Sequence, residues 1–239
     1  MISSLGNQRV KDWMRLYQKK YRRNQYLIFD EDMIRSAIEY GYLDTLIYCQ
    51  NSEIAFANSV EVSIEVMDKL SKGKGLRYIG VANMLKEGLN NPRRSVILDD
   101  LQDPANVGMI ISSAYLFGYD SVILNSFTAD IYHEKCLDKA SDSLYKVNIL
   151  RCDVREIIPE LKREGFKIYA TGLRKETKEL EETLVYDKMA FILGNEGSGV
   201  KEELYELSDE IVKIRMENID SLNVAIAGSI VMYHFATKQ

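Results

Sequence analysis

Cysteine is scarce in this sequence: Cys49, Cys136 and Cys152 are the only three among 239 residues, and they lie far apart. Such spacing fits neither a disulfide framework nor a zinc site. Because disulfides are rare in the cytoplasm, we expect reduced thiols and a cytoplasmic protein. We also expect no bound metal, since the two histidines, His133 and His234, stand alone within helical patterns.

Proline and long apolar runs are also scarce. Three prolines and the lack of a low-complexity tract argue against a long disordered linker. The first residues lack the apolar core of a signal peptide. The longest apolar-rich stretch, 222–235, contains Asn223, Ser229 and His234 and is too short and too polar to span a bilayer. We therefore expect a globular protein of one large domain or two small ones.

The chain has no net positive charge, but its basic residues are concentrated near the N-terminus. The net charge of −5 argues against a general nucleic-acid binder. Residues 1–90, however, carry 13 Lys and Arg against 11 Asp and Glu, whereas residues 91–239 carry 18 against 25. The basic residues crowd into one short segment: Arg9, Lys11, Arg15, Lys19, Lys20, Arg22 and Arg23.

Trp13, Tyr17 and Tyr21 interleave with these basic residues at helical spacing. A basic helix with exposed aromatic residues follows a phosphate backbone and stacks on bases. The alternative is an ordinary amphipathic helix, with aromatic residues packed inward and lysines solvated. The pattern by itself favours neither interpretation.

The pattern of elements predicts two domains, residues 1–90 and 91–239, joined by turn signals at 86–94. The first is a small α/β domain with strands at 26–29, 45–48 and 78–82 and helices at 32–40 and 66–70. In the second, strands at 95–98, 121–124, 146–150, 166–170, 189–193 and 210–214 alternate with helices at 105–117, 132–140, 153–164, 200–207 and 221–237. Such alternation predicts a largely parallel sheet covered on both faces, with ligands at the carboxyl ends of its strands.

Three polar stretches follow predicted strands and lead into predicted helices: 98–108, 191–199 and 214–224. The backbone amides of such turns hold a ligand with little steric cost, so we expect one composite site. The glycines from Gly194 to Gly199 follow the order G-x-x-G-x-G. That order differs from the dinucleotide fingerprint and argues against a Rossmann-type small-molecule enzyme.

Together these stretches resemble the three motifs of the SpoU (TrmH-type) branch of the SPOUT methyltransferases. Asp103-Pro-Ala-Asn-Val-Gly108 is similar to the first motif, Leu193-Gly-Asn-Glu-Gly197 to the second and Ser221-Leu-Asn-Val-Ala225 to the third, in the same order and spacing. The segment 7–41 resembles the substrate-binding domain that many members carry. The resemblance therefore covers nearly the whole chain.

The resemblance implies a SPOUT domain with a trefoil knot, an exception to the rule against knots, behind a small N-terminal RNA-binding domain. It also implies a homodimer that transfers methyl from S-adenosylmethionine to a ribose 2′-hydroxyl of rRNA or tRNA. Motif matching assigns the cofactor contacts to Leu173, Gly194, Ile214, Met216 and Leu222. It assigns the active-site polar set to Asn106, Glu196, Ser221 and Asn223. With an RNA substrate, the expected phosphate contacts are Arg9, Lys11, Lys19, Lys20, Arg22 and Arg23.

The sequence departs from the family at the site. Ser112 stands where the first motif has an arginine, and a serine supplies neither the charge nor the bidentate contact of that arginine. Arg215 stands where the third motif has a proline, so it either replaces the lost charge or points to solvent. Two interpretations remain open: an active methyltransferase with rearranged proton handling, or a catalytically silent homologue that binds RNA.

Overall fold

The computed structural model describes residues 1–174, 176–217 and 222–237. The chain forms two compact units, Met1–Leu85 and Lys86–Gln239. The stretch expected to be a linker, 86–94, is bonded to the second unit: the Gly88 amide donates to the Ile149 carbonyl (2.8 Å) and the Arg151 amide to Glu87 Oε2 (2.9 Å). Within the described residues, no helix is both long and apolar enough to cross a membrane.

The first unit is a four-stranded sheet with three helices. The strands are β1 (Gln25–Ile28), β2 (Leu43–Tyr48), β3 (Ser59–Glu61) and β4 (Tyr78–Asn83), and the helices are α1 (Gln8–Arg15), α2 (Glu31–Glu39) and α3 (Ile64–Ser71). The sheet order is β1-β4-β2-β3, with β4 antiparallel to both neighbours and β3 parallel to β2. The expected strands and helices are present, and β3 and α1 complete the unit.

The basic N-terminal segment is not one continuous helix. Helix α1 ends at Arg15, and a single 3-10 turn follows at Lys19–Tyr21. Trp13 is buried, and Tyr17 stacks on Phe29 (5.6 Å between ring centroids) and donates its hydroxyl to the Leu70 carbonyl (2.6 Å). The three aromatic residues at helical spacing therefore do not form one exposed row on a helix, because the side chains of Trp13 and Tyr17 pack into the core. The amphipathic interpretation is right for those two.

The second unit is built on a seven-stranded, entirely parallel sheet. Its strands are β5 (Arg94–Leu98), β6 (Ser121–Leu124), β7 (Asn148–Arg151), β8 (Lys167–Thr171), β9 (Lys178–Glu179), β10 (Met189–Leu193) and β11 (Glu210–Lys213). The sheet order is β7-β6-β5-β10-β8-β11-β9. The α/β class with a parallel sheet is thus confirmed.

In the described part of this unit, five α-helices cover the sheet: α4 (Pro104–Leu116), α5 (Glu134–Ala140), α6 (Val154–Arg163), α7 (Glu202–Leu207) and α8 (Val224–Thr237). Against one face, Val154, Ile158, Leu161 and Leu204 pack on strand residues such as Ile168 and Ile192. Strands buried on both sides need continuous apolar runs, which is what β5, β6 and β10 supply. Leu98 and Leu193 are in register, so the turns after β5 and β10 emerge side by side.

Candidate active site

The turns after β5 and β10 are joined directly by their backbones. The Asp99 amide donates to the Leu193 carbonyl (2.9 Å), which continues the pairing of the two strands by one residue. Asp103 then caps helix α4 by accepting from the Ala105 amide (2.9 Å), and Pro104 occupies the first turn. This start places Asn106 in the first turn of α4, where it is only 4% exposed.

Three of the four predicted polar residues form one chain of hydrogen bonds. Asn223 Nδ2 donates to Asn106 Oδ1 (3.1 Å), and Asn106 Nδ2 donates to Glu196 Oε1 (3.1 Å). Asn223 also caps α8, since its Oδ1 accepts from the amides of Ala225 (2.9 Å) and Ile226 (3.3 Å). The three motifs are therefore brought together as expected, although Ser221 lies outside the described residues.

Glu196 is held by backbone as well as by side chain. Its two oxygens accept from the amides of Gln102 (3.1 Å) and Asp103 (3.3 Å) near the start of α4. Partial burial opposes ionisation, but the bonds from Asn106 and these amides outweigh it and hold the pKa of Glu196 below its ordinary value. The ionised carboxylate thus stabilises the fold at neutral pH, and that stability is lost as the pH falls through the lowered pKa.

The turn from Gly194 to Gly199 closes tightly on itself. The Asn195 amide donates to the Gly199 carbonyl (3.0 Å), the Gly199 amide donates to the Asn195 carbonyl (2.9 Å), and Gly199 has a positive φ of 71°. The Asn195 side chain accepts from the Gly197 amide (2.9 Å) and donates to the Asp100 carbonyl (2.8 Å). A Cβ on Gly194 would overlap the backbone of Gly199 and Val200, so this position requires glycine.

A cavity of about 640 Å³ opens beside this turn. All five residues predicted to contact a cofactor line it, and so do Glu196 and Asn223. Its volume lies in the range of small-molecule and cofactor sites, and its lining is mostly apolar with a few polar groups, as is typical of them. Among the described residues, no group of three or more His, Cys, Asp and Glu side chains is placed to hold a metal ion.

A buried ionic network behind the turn was missed by the sequence interpretation. The Asp99 carboxylate is 1% exposed and accepts from Asn125 Nδ2 (3.0 Å) and the Lys201 amide (2.9 Å). Lys201 Nζ lies 3.3 Å from Asp99 Oδ1 and also pairs with Asp100. The sequence does contain a signal for Asp99: it is a charged residue directly after β5, a strand that is buried on both faces.

Tyr205 is a second missed residue of the cavity wall. Its hydroxyl donates to the Thr171 carbonyl (3.2 Å), and the Arg174 guanidinium lies 4.1 Å from its ring centroid. Arg174 is in turn paired with Glu202. Burial raises the pKa of Tyr205, so its phenol stays protonated at neutral pH.

The two residues that depart from the family lie away from this cavity wall. Ser112 lines a separate groove between α4 and α8. Arg215 is exposed between Ile214 and Met216, both of which face the cavity. Its exposure favours the solvent-facing interpretation over a relocated arginine.

Comparison with known proteins settles the family. Residues 93–233 match the model of the SpoU rRNA Methylase family. The chain belongs to this family. It is also 32% identical to the 23S rRNA (guanosine(2553)-2′-O)-methyltransferase RlmP of Bacillus subtilis, over 98% of each chain. The resemblance inferred from the three motifs is therefore confirmed.

Solved structures of SpoU-type proteins share the fold over nearly the whole chain. An AdoMet-bound rRNA methyltransferase from Sinorhizobium meliloti superposes with a TM-score of 0.88 at 23% identity, covering 98% of this chain and 96% of that one. The methyltransferase AviRb from Streptomyces viridochromogenes, in complex with AdoMet, gives 0.85 at 20% identity, with 96% and 98% covered. Nothing in these comparisons supports a catalytically silent homologue.

Proposed function

We propose that the protein transfers the methyl group of S-adenosylmethionine to a ribose 2′-hydroxyl of rRNA. The observation that carries this proposal is the chain of hydrogen bonds from Asn223 through Asn106 to Glu196, which ends at a cavity lined by all five predicted cofactor residues. The choice of rRNA over tRNA follows the named activity of the relative that matches over its full length.

The cavity residues fit such a cofactor. Leu173, Ile214 and Leu222 give apolar surface, and Gly194 lets a ligand approach the backbone closely. When bound, S-adenosylmethionine supplies an electrophilic methyl on a positively charged sulfur. Transfer of this methyl to the ribose oxygen would leave the sulfur as a neutral thioether and would release the hydroxyl proton to solvent.

The hydrogen bonds to Glu196 favour one role for it in this reaction. Its oxygens accept from Asn106 Nδ2 and from the amides of Gln102 and Asp103, which stabilise the charged form and lower its pKa. Glu196 therefore acts as a fixed negative charge that favours a cationic ligand. Asn106 and Asn223 hold it in place and orient polar groups without adding charge.

The proposal is tested by transfer of labelled methyl from S-adenosylmethionine to rRNA from unmodified ribosomal particles, with tRNA in parallel. We expect labelled rRNA, and the modified nucleotide should resist alkaline cleavage because its 2′-oxygen is blocked. Calorimetry should show binding of both S-adenosylmethionine and its demethylated product. A folded protein that binds neither and labels no RNA would contradict the proposal.

Two further features are proposed on the family resemblance. We propose a trefoil knot in the second unit, as the resemblance implies. We also propose a cytoplasmic location, which the three free cysteines support.

The basic N-terminal segment is the proposed RNA contact. Arg9, Lys11, Lys19, Lys20 and Arg23 are exposed, and Arg22 is half-buried. The first five side chains stay exposed even though Trp13 and Tyr17 pack inward.

Replacing Lys19, Lys20, Arg22 and Arg23 with Ala should weaken RNA binding and flatten its salt dependence. Each lost phosphate contact lowers the slope of log K against log salt by about 0.7 for single strands. The control is the double replacement of Arg35 and Arg77 with Ala. Both arginines lie in the same unit but are paired with Glu31 and Glu53. An unchanged slope in the quadruple variant would show that the segment is only a solvated surface.

The groove between α4 and α8 is the proposed dimer interface. Apolar side chains line it while remaining exposed, among them Ile226 (52%), Ile230 (38%) and Tyr233 (56%). An apolar patch of this kind, next to a helix that is apolar on most faces, is typical of a protein interface.

We expect a homodimer by light scattering at micromolar concentration, and Ile226→Asp should shift it to monomer. The matched control is Leu184→Asp, which places the same charge at a comparably exposed leucine (66%) outside the groove. A monomeric wild-type protein would contradict the interface.

A further inference from the structure

Phe127 is the most exposed aromatic residue in the described part of the chain, at 77%. Its loop is nevertheless firmly held. The Arg151 guanidinium donates to the carbonyls of Asn125 (3.2 Å), Thr128 (2.7 Å) and Ala129 (3.0 Å), on both sides of the phenylalanine. The ring is thus presented to solvent by a fixed backbone.

The same loop is bonded to the turn that holds Glu196. The Phe127 amide donates to Asp100 Oδ1 (3.1 Å), and Gln102 Nε2 donates to the Phe127 carbonyl (3.0 Å). The Gln102 amide donates to Glu196 Oε2 (3.1 Å). One residue, Gln102, therefore contacts both the backbone of Phe127 and the carboxylate of the active site.

A single exposed apolar side chain needs no explanation by itself. Here, however, the ring is carried by a held backbone, and one residue, Gln102, bonds both to that backbone and to Glu196. An aromatic residue whose backbone is ordered before binding stacks on a base at a reduced entropic cost. A base stacked there would bring its own ribose, or the neighbouring one, toward Glu196.

We propose that Phe127 stacks on a nucleobase of the RNA substrate, at or next to the methylated nucleotide, and so positions the ribose. This inference rests on the proposed RNA methyltransferase function. It makes Phe127 a binding and positioning residue.

The test compares three substitutions in the labelled-methyl assay on unmodified rRNA. Phe127→Ala should raise the KM for RNA by about 5- to 150-fold, the range measured for loss of one base–aromatic stack. Phe127→Leu should show a similar rise, because it keeps apolar bulk without a flat ring, whereas Phe127→Trp should stay near wild type. The thermal midpoint and the Kd for S-adenosylmethionine should not change in any variant.

Several outcomes would overturn the inference. An unchanged KM in Phe127→Ala would show that the ring does not contact RNA. A shift to monomer in light scattering would make Phe127 an interface residue instead. If the wild type transfers no methyl at all, filter binding of the same rRNA to wild type and to Phe127→Ala still tests whether the ring contacts RNA. This measurement is separate from the proposed activity.

Discussion

Replacing Gly194 with alanine is expected to abolish cofactor binding. The new Cβ would overlap backbone atoms of Gly199 and Val200, and backbone cannot move aside as a flexible side chain can. The turn must open, and a displacement of about 1 Å in such a site costs roughly a hundredfold in rate. Overpacking of this kind also costs about 1–3 kcal/mol of stability, so the thermal midpoint should fall by several degrees.

Gly197→Ala is the matched control for this experiment. It lies in the same turn, but its added Cβ would be 3.5 Å from Asn195 Oδ1, an ordinary contact. Calorimetry with S-adenosylmethionine on both purified variants, with thermal unfolding in parallel, measures the two effects separately. Wild-type affinity in Gly194→Ala would mean that the turn does not shape the cofactor site.

Three strands of the second unit, β5, β6 and β10, were predictable because each is a short, largely apolar run that is almost fully buried. Strands β5, β6 and β10 agree with the predicted ranges to within one residue. Strands β3 and β9 were missed because they have three and two residues, and neither contains a fully buried position. Runs this short and this exposed carry no hydrophobic pattern.

Helix boundaries show where local patterns stop being informative. Helix α8 begins at Val224, three residues later than predicted, because Asn223 accepts two amides and caps the helix there. Helix α1 ends at Arg15 although the aromatic spacing continues to Tyr21. A contact distant in sequence holds the chain just after the helix: Tyr17 bonds to Leu70, which is 53 residues away.

The site itself was predictable only in part. Strand ends in a parallel sheet place the three motifs at one edge, which is why their convergence could be expected. The bonds that join them link residues 90 and 117 positions apart, and no local pattern encodes such partners. For the same reason, the pairing of Asp99 with Lys201, 102 residues later, is visible only in the fold.

Replacing Asn106 with aspartate should remove most activity at neutral pH and return part of it in acid. Asn106 Nδ2 donates to Glu196 Oε1 at 3.1 Å, so the substitution sets two carboxylates against each other in a site where residue 106 is 4% exposed. Like charges this close share one proton, and the apparent pKa of the pair rises. Below that pKa the protonated aspartate donates to Glu196 as the amide does, whereas above it the bond is lost.

Asn106→Ala offers no donor at any pH, so its methyl transfer should be low throughout. The measurement is kcat for labelled-methyl transfer between pH 5 and 9, relative to wild type. A wild-type kcat in Asn106→Ala would show that the bond to Glu196 has no part in catalysis.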